Sequence, residues 1–163
     1  IIGNGNVAID IARILCRPVE NLALTDISDR ALAALRKSQV QQVHLVGRRG
    51  PAQARFTTKE LRELGELPDV AIRVKPSELE LGDACRIELA HHSGEQAQRN
   101  LDLMRGWAER HSSDGQRELH LHFGLVPEAM ERDANGSNTL VMRRLRLTGA
   151  PFAQALQIGR AHV

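Results

Sequence analysis

An α/β fold built on a parallel sheet is what this sequence predicts, and three observations predict it. A short apolar strand, Ile1-Ile2, runs through a glycine turn, Gly3-Asn4-Gly5, into an apolar helix that starts near Asn6-Val7. A second apolar strand, Gln42 to Val46, follows a long crossover and ends in the turn Gly47-Arg48-Arg49-Gly50-Pro51. Further on, two alternating segments flank Asn135-Gly136, the turn dipeptide of a β-hairpin. Strand, glycine turn and helix in that order make the unit of a Rossmann-like, three-layer dinucleotide-binding domain, with the β-hairpin near its C-terminal end.

The opening turn is where such a domain holds phosphate. Gly3 lets the chain turn sharply, Gly5 lets backbone N–H groups approach a pyrophosphate, and the small Ala8 lets the helix pack closely on its strand. The helix N-terminus faces the anion with its dipole, worth roughly 0.3–1 kcal/mol, and with unpaired amides. Glycine pairs at strand-to-helix turns also arise from turn geometry alone, so the segments that follow decide the reading.

Composition narrows the function. The chain has 163 residues, the size of one domain, with three Phe, one Trp and no Tyr. Without tyrosine there is no tyrosine proton donor, and few rings remain on which single-stranded nucleic acid could stack. The formal charge of +2 is too small to argue for a nucleic-acid or anionic-membrane partner. Cys16 and Cys85 share no metal or redox spacing, which favours a reduced, cytoplasmic protein. No apolar run approaches the ~20 residues of a membrane span. The chain starts without methionine at the end of a strand and reads as a fragment.

From Val7 to Leu15 apolar positions nearly surround the helix, which predicts burial against a sheet, with Asp10 placed in the first turn and Pro18 as the stop. Pro18 to Thr25 reads as a connection. A second helix follows, capped by Asp26 or Ser28, with Ala31, Leu32 and Leu35 inward. Ligands in doubly wound sheets lie beyond the carboxyl ends of the strands, so Arg48 and Arg49 should stand beside the Gly3 to Gly5 loop. There, guanidinium forks suit a ribose 2′-phosphate, where an NAD site would carry an acid. A solvated arginine-rich turn is the plain alternative, and the glycine loop one strand earlier tips the balance.

Thr57 to Leu64 is a short helix in which Thr57 and Glu60 have capping-box spacing, so Glu60 should return to the Thr57 N–H. Val70 to Val74 alternates as a third strand. A helix around Asn100 to His111 buries Leu101, Met104 and Ala108. His120 and His122 project from one face of a strand over Leu119 to Phe123, as its exposed polar side rather than a metal pair; His91-His92 carries less signal still. Leu125 to Met130 and Thr139 to Leu147 form the hairpin arms, with Arg143, Arg144 and Arg146 as an exposed edge. The ending Ile158 to Val163 resembles a translated sequencing adapter. The expected domain is therefore residues 1–156, with 157–163 a non-native tail.

Three blocks in order carry a family resemblance: Gly3 to Arg13, Val46 to Pro51, and Phe56 to Glu63. Together they resemble the NADP-binding domain of adrenodoxin-type ferredoxin–NADP reductases, clearly from Ile1 to about Leu64 and more loosely through the Leu119 to Gly149 hairpin. The resemblance implies that pyrophosphate is bound by Asn4, Gly5, Asn6 and Val7 after Gly3, the 2′-phosphate by Arg48 and Arg49, and a ribose by Glu60. It implies NADP and FAD as cofactors, the FAD on an FAD-binding domain of the same full-length chain, and a ferredoxin-type iron–sulfur protein as electron acceptor. It places no catalytic residue and no metal here, and it expects no nucleic acid and no membrane partner. Two alternatives come with it: an oxidoreductase of the glutamate synthase small-subunit type, whose crossover is shorter, and a non-catalytic NADP sensor. A self-contained dehydrogenase would need its own proton donor, which the lack of tyrosine disfavours.

Overall fold

The computed structural model describes residues 1–90, 94–110, 117–146 and 156–162, with positions 84, 88, 146 and 156–162 as backbone alone. His91-His92 lies outside them. Three strands, β1 (Gln42–Gly47), β2 (Val70–Val74) and β3 (Arg117–Phe123), form a parallel sheet in the order β1-β3-β2. The Ile1-Ile2 stub continues it beside β1: Ile2 bridges Val46 in parallel, and the Gly3 N–H donates to the Val46 carbonyl at 2.8 Å.

Helices cover one face of this sheet. α1 (Asn6–Cys16) buries Ala8, Ile9, Ala12 and Cys16 against β1 and β3, α4 (Thr58–Gly65) adds Leu61 and Leu64, and α6 (Gly94–Glu109) adds Leu101, Met104 and Trp107. The inward strand residues Val43, Leu45, Ile72, Val74, Leu119 and Leu121 complete the core. The crossover holds α2 (Val19–Leu22) and α3 (Asp29–Arg36), and α5 (Asp83–Leu89) precedes α6. Ser28 is the N-cap of α3, its Oγ accepting from the Ala31 N–H at 3.4 Å.

The third layer is an antiparallel meander, β4 (Leu125–Arg132), β5 (Asn138–Arg146) and β6 (Leu156–His162). It seals a second, smaller core of Val46, Leu125 and Met142. Helices and parallel sheet thus make the α/β fold that the sequence predicts, and the meander adds the third layer. The turn between β4 and β5 is built as expected, with Gly136 at φ +83° and the Asp133 carboxylate accepting from the Asn135 and Ser137 amides.

Several expectations need correction. α1 is buried on one face only: Val7 is 72 % exposed, and Ile11 and Ile14 continue an apolar stripe that faces outward. Asp10 sits one turn too late for the first turn and pairs with Arg13 at 3.5 Å instead. The connection after Pro18 contains α2, and the inward residues of α3 are only half-buried, because α3 packs on α2 rather than on the sheet. The hairpin is a three-stranded meander, so Arg143 and Arg144 stand on its middle strand, half-buried and paired with Glu128 at 3.1 Å and Glu78 at 3.7 Å. His122 is buried and His120 half-buried, not exposed. Residues 157–162, placed outside the domain from sequence, pair with β5 as part of β6. That pairing uses main-chain groups, which any non-proline segment supplies.

Candidate functional site

Two turns at the carboxyl ends of the stub and β1 build the site, and the main chain fixes both. Gly3 takes φ +140°, a conformation that side chains disfavour. The next residues open α1, whose N-cap Gly5 has no capping side chain. Among the described residues the amides of Gly5, Asn6 and Val7 donate to nothing, and a Cβ at Gly5 would meet open space. Unpaired amides around an open approach are what a helix N-terminus offers an anion.

The arginine turn is anchored from behind. The Arg49 carbonyl accepts from the Gly124 N–H at 2.9 Å, and the Gly124 carbonyl accepts from the Leu145 N–H at 2.7 Å, which ties the turn to the meander. Arg48 is exposed and Arg49 half-buried; neither guanidinium pairs with another described residue. Gly3, Asn4, Gly5, Arg48 and Arg49 line a single cavity of about 730 Å³, closed on its far side by Leu125, Val126 and Pro127. Among the described residues no carboxylate lines it. Asn6 and Val7 line an adjoining groove with Gly3, Gly5, Ile11 and Arg55.

Arg55 belongs to both spaces, and no motif in the sequence marks it. It lies in an irregular loop, and only folding returns it to the glycine turn, where its N–H donates to the Asn4 carbonyl at 2.7 Å. Its exposed guanidinium makes no pair among the described residues.

Glu60 lines neither space. The spacing was right and the partner was not: the Thr57 N–H donates to Asn6 Oδ1 at 2.9 Å, so the Glu60 carboxylate takes the Thr57 hydroxyl instead. The Thr57 hydroxyl in turn accepts from the Glu60 N–H at 3.3 Å. That hydroxyl bond holds the Glu60 carboxyl below the usual carboxylate range, against partial desolvation. Asn6 thereby ties the start of α1 to the start of α4. Asn6→Ala leaves a helix-terminal amide without its acceptor and is expected to cost about 1 kcal/mol in urea unfolding; Asn6→Asp, which keeps an acceptor, should lose less.

Comparison with known proteins follows the same lines. No family model matches the chain. NADPH-ferredoxin reductase FprA of Mycobacterium tuberculosis is 44% identical over 147 residues, which is 86% of this chain and 32% of that protein. The mitochondrial NADPH:adrenodoxin oxidoreductase of Arabidopsis thaliana is 42% identical over 131 residues, 78% of this chain and 27% of that one. The structure of Mycobacterium tuberculosis FprA in complex with NADPH superposes with a TM-score of 0.84 at 38% identity, over 99% of this chain and 36% of the other. This chain is homologous to the adrenodoxin-type ferredoxin–NADP reductases. It spans about a third of the length of the adrenodoxin-type proteins it matches, and it shares their α/β dinucleotide-binding fold. No described helix is long and apolar enough to cross a membrane.

Proposed function

We propose that this chain is the NADP(H)-binding part of an FAD-dependent ferredoxin– or adrenodoxin–NADP reductase. The observation that carries the reading is the cavity in which a glycine-loop N-terminus and the guanidinium groups of Arg48, Arg49 and Arg55, all unpaired among the described residues, meet without a described carboxylate. Such a cavity suits a dinucleotide with a third phosphate. On this reading the Gly5, Asn6 and Val7 amides hold the pyrophosphate with Gly3 and Asn4 shaping the loop, Arg48 and Arg49 hold the 2′-phosphate, and Glu60 positions the start of α4. Bound NADPH supplies a hydride to FAD, and the electrons pass on to a ferredoxin-type iron–sulfur protein. This chain's residues bind and orient; none is assigned a bond-making role.

FAD belongs, on this reading, to a domain outside these residues. The apolar stripe of Ile2, Val7, Ile11 and Ile14 supports a covering partner of that kind. The chain's two cysteines are buried and form no disulfide, and burial pushes the Cys16 thiol up to about 11 against the pull of Arg117; unpaired sulfurs of this kind suit a reducing compartment such as the cytoplasm. Titration followed by nicotinamide fluorescence tests the proposal: the chain should bind NADPH saturably, NADH at least tenfold more weakly, and retain no FAD. Equal affinity for the two nicotinamides, or tight retention of FAD, would overturn it.

A further inference from the structure

The sheet face turned away from the helices carries three imidazoles that the nucleotide site does not use. His44 on β1 is the direct cross-strand neighbour of His120 on β3, and His122 lies two residues further along β3 on the same face. One nitrogen from each can be chosen so that all three lie within 4.8 Å of one another. His44 and His122 meet edge to edge, ring centroids 5.3 Å apart and planes within 9°, with Nδ1 of one 3.0 Å from Nε2 of the other. The His120 ring stacks on His44 at 4.5 Å.

Two carboxylates stand behind the cluster. Glu78 Oε1 lies 3.5 Å from His122 Nδ1, and Glu118 Oε2 lies 3.1 Å from His120 Nε2. Both carboxyls are held below their ordinary range. For Glu78, burial acts the other way but the His122 and Phe123 N–H bonds outweigh it; for Glu118 the bonds from His120 and Arg73 are the cause. His44 is pulled down to about 4, chiefly by burial and then by the neighbouring imidazoles, so it is neutral at physiological pH.

We infer that His44, His120 and His122 form a binding site for a divalent transition-metal ion of the zinc class, with Glu78 and Glu118 orienting the ligands. Three imidazoles backed by carboxylates are the donor set and outer shell of an imidazole zinc site with an open fourth position. Tetrahedral bonds of about 2.0–2.1 Å put ligand nitrogens roughly 3.3 Å apart. The three rings stand nearly parallel, so binding requires them to turn about their side-chain bonds until their lone pairs converge on the ion. The proton in the His44–His122 gap moves to the other nitrogen of His44, which remains neutral. None of the three histidines lines the cavity or groove of the nucleotide site, so this inference stands apart from the proposed function.

Cobalt(II) chloride titrated into the chain, followed by its visible absorption, gives the test. The expected result is one equivalent bound with the strong bands of tetrahedral coordination, displaced by zinc(II), and no thiolate charge-transfer band from Cys16 or Cys85. Glu118→Gln should weaken binding by on the order of 10–100-fold, and His120→Gln should abolish it, both with an unchanged far-ultraviolet dichroism spectrum. His44→Gln repeats the test on the neighbouring strand. Only weak octahedral absorption, a thiolate band, or binding that survives the His120→Gln change on His91, His92, His111 or His162 would overturn the site.

Discussion

Replacing Arg48 and Arg49 together with alanine is expected to lower NADPH affinity by about a hundredfold or more and to leave NADH affinity within about twofold. Charge-assisted hydrogen bonds contribute roughly 1.5–3 kcal/mol each, and 1.4 kcal/mol is a factor of ten. Two guanidinium groups therefore account for roughly a hundredfold at the low end, the appropriate end for an exposed Arg48 screened by water. The sign follows from what each coenzyme carries: only NADPH has the 2′-phosphate, so only NADPH loses a partner. Lysine at both positions should recover part of the loss, because the charge returns without the planar fork. Salt gives an independent check, since the NADPH preference should shrink as ionic strength rises. A double alanine variant that still prefers NADPH tenfold would move the 2′-phosphate elsewhere, and Arg55 would be the first place to look.

The fold and half of the site were legible because both are local. Strand, glycine turn and helix are encoded within ten residues, and a turn dipeptide such as Asn135-Gly136 fixes a strand pairing wherever it stands. The arginine pair could be placed because ligands gather beyond the carboxyl ends of parallel strands, a rule of topology that needs no coordinates. What escaped was long-range. Arg55 joins the glycine loop through a loop of no regular period, and His44 joins His120 and His122 only because β3, the last of the three parallel strands in the chain, inserts between β1 and β2. Alternation along β3 gave its two faces correctly. It could not say that the polar face would be half covered, since the cover comes from Glu78 and from a meander some residues away. Glu60 shows a subtler limit: its capping-box spacing was real, but a side chain 51 positions away in sequence took the amide first.

Gly47→Ala should weaken NADPH and NADH alike, and that shared loss separates the loop from the arginine turn. Gly47 ends β1 directly beneath the glycine loop, and a Cβ there would overlap the Asn4 amide nitrogen and lie 2.5 Å from Asn4 Cγ. Asn4 must then leave. The atoms in the way belong to its side-chain amide, while its main-chain carbonyl stays held by the Arg55 N–H at 2.7 Å, so the side chain must rotate out of its place in the cavity wall beside the pyrophosphate loop. Overpacking of this kind costs roughly 1–3 kcal/mol, about 5- to 150-fold in affinity where the cost falls on the binding loop. Both coenzymes share the pyrophosphate, so their ratio should stay at the wild-type value while both dissociation constants rise. Gly106→Ala is the matched control: a Cβ there meets open space in the last turn of α6, and alanine favours the helix by up to about 1 kcal/mol. That variant should melt no lower than wild type and bind both coenzymes normally. Loss of NADPH alone in Gly47→Ala would mean that Asn4 serves the 2′-phosphate side of the cavity, and the glycine loop would then have to be separated from pyrophosphate binding.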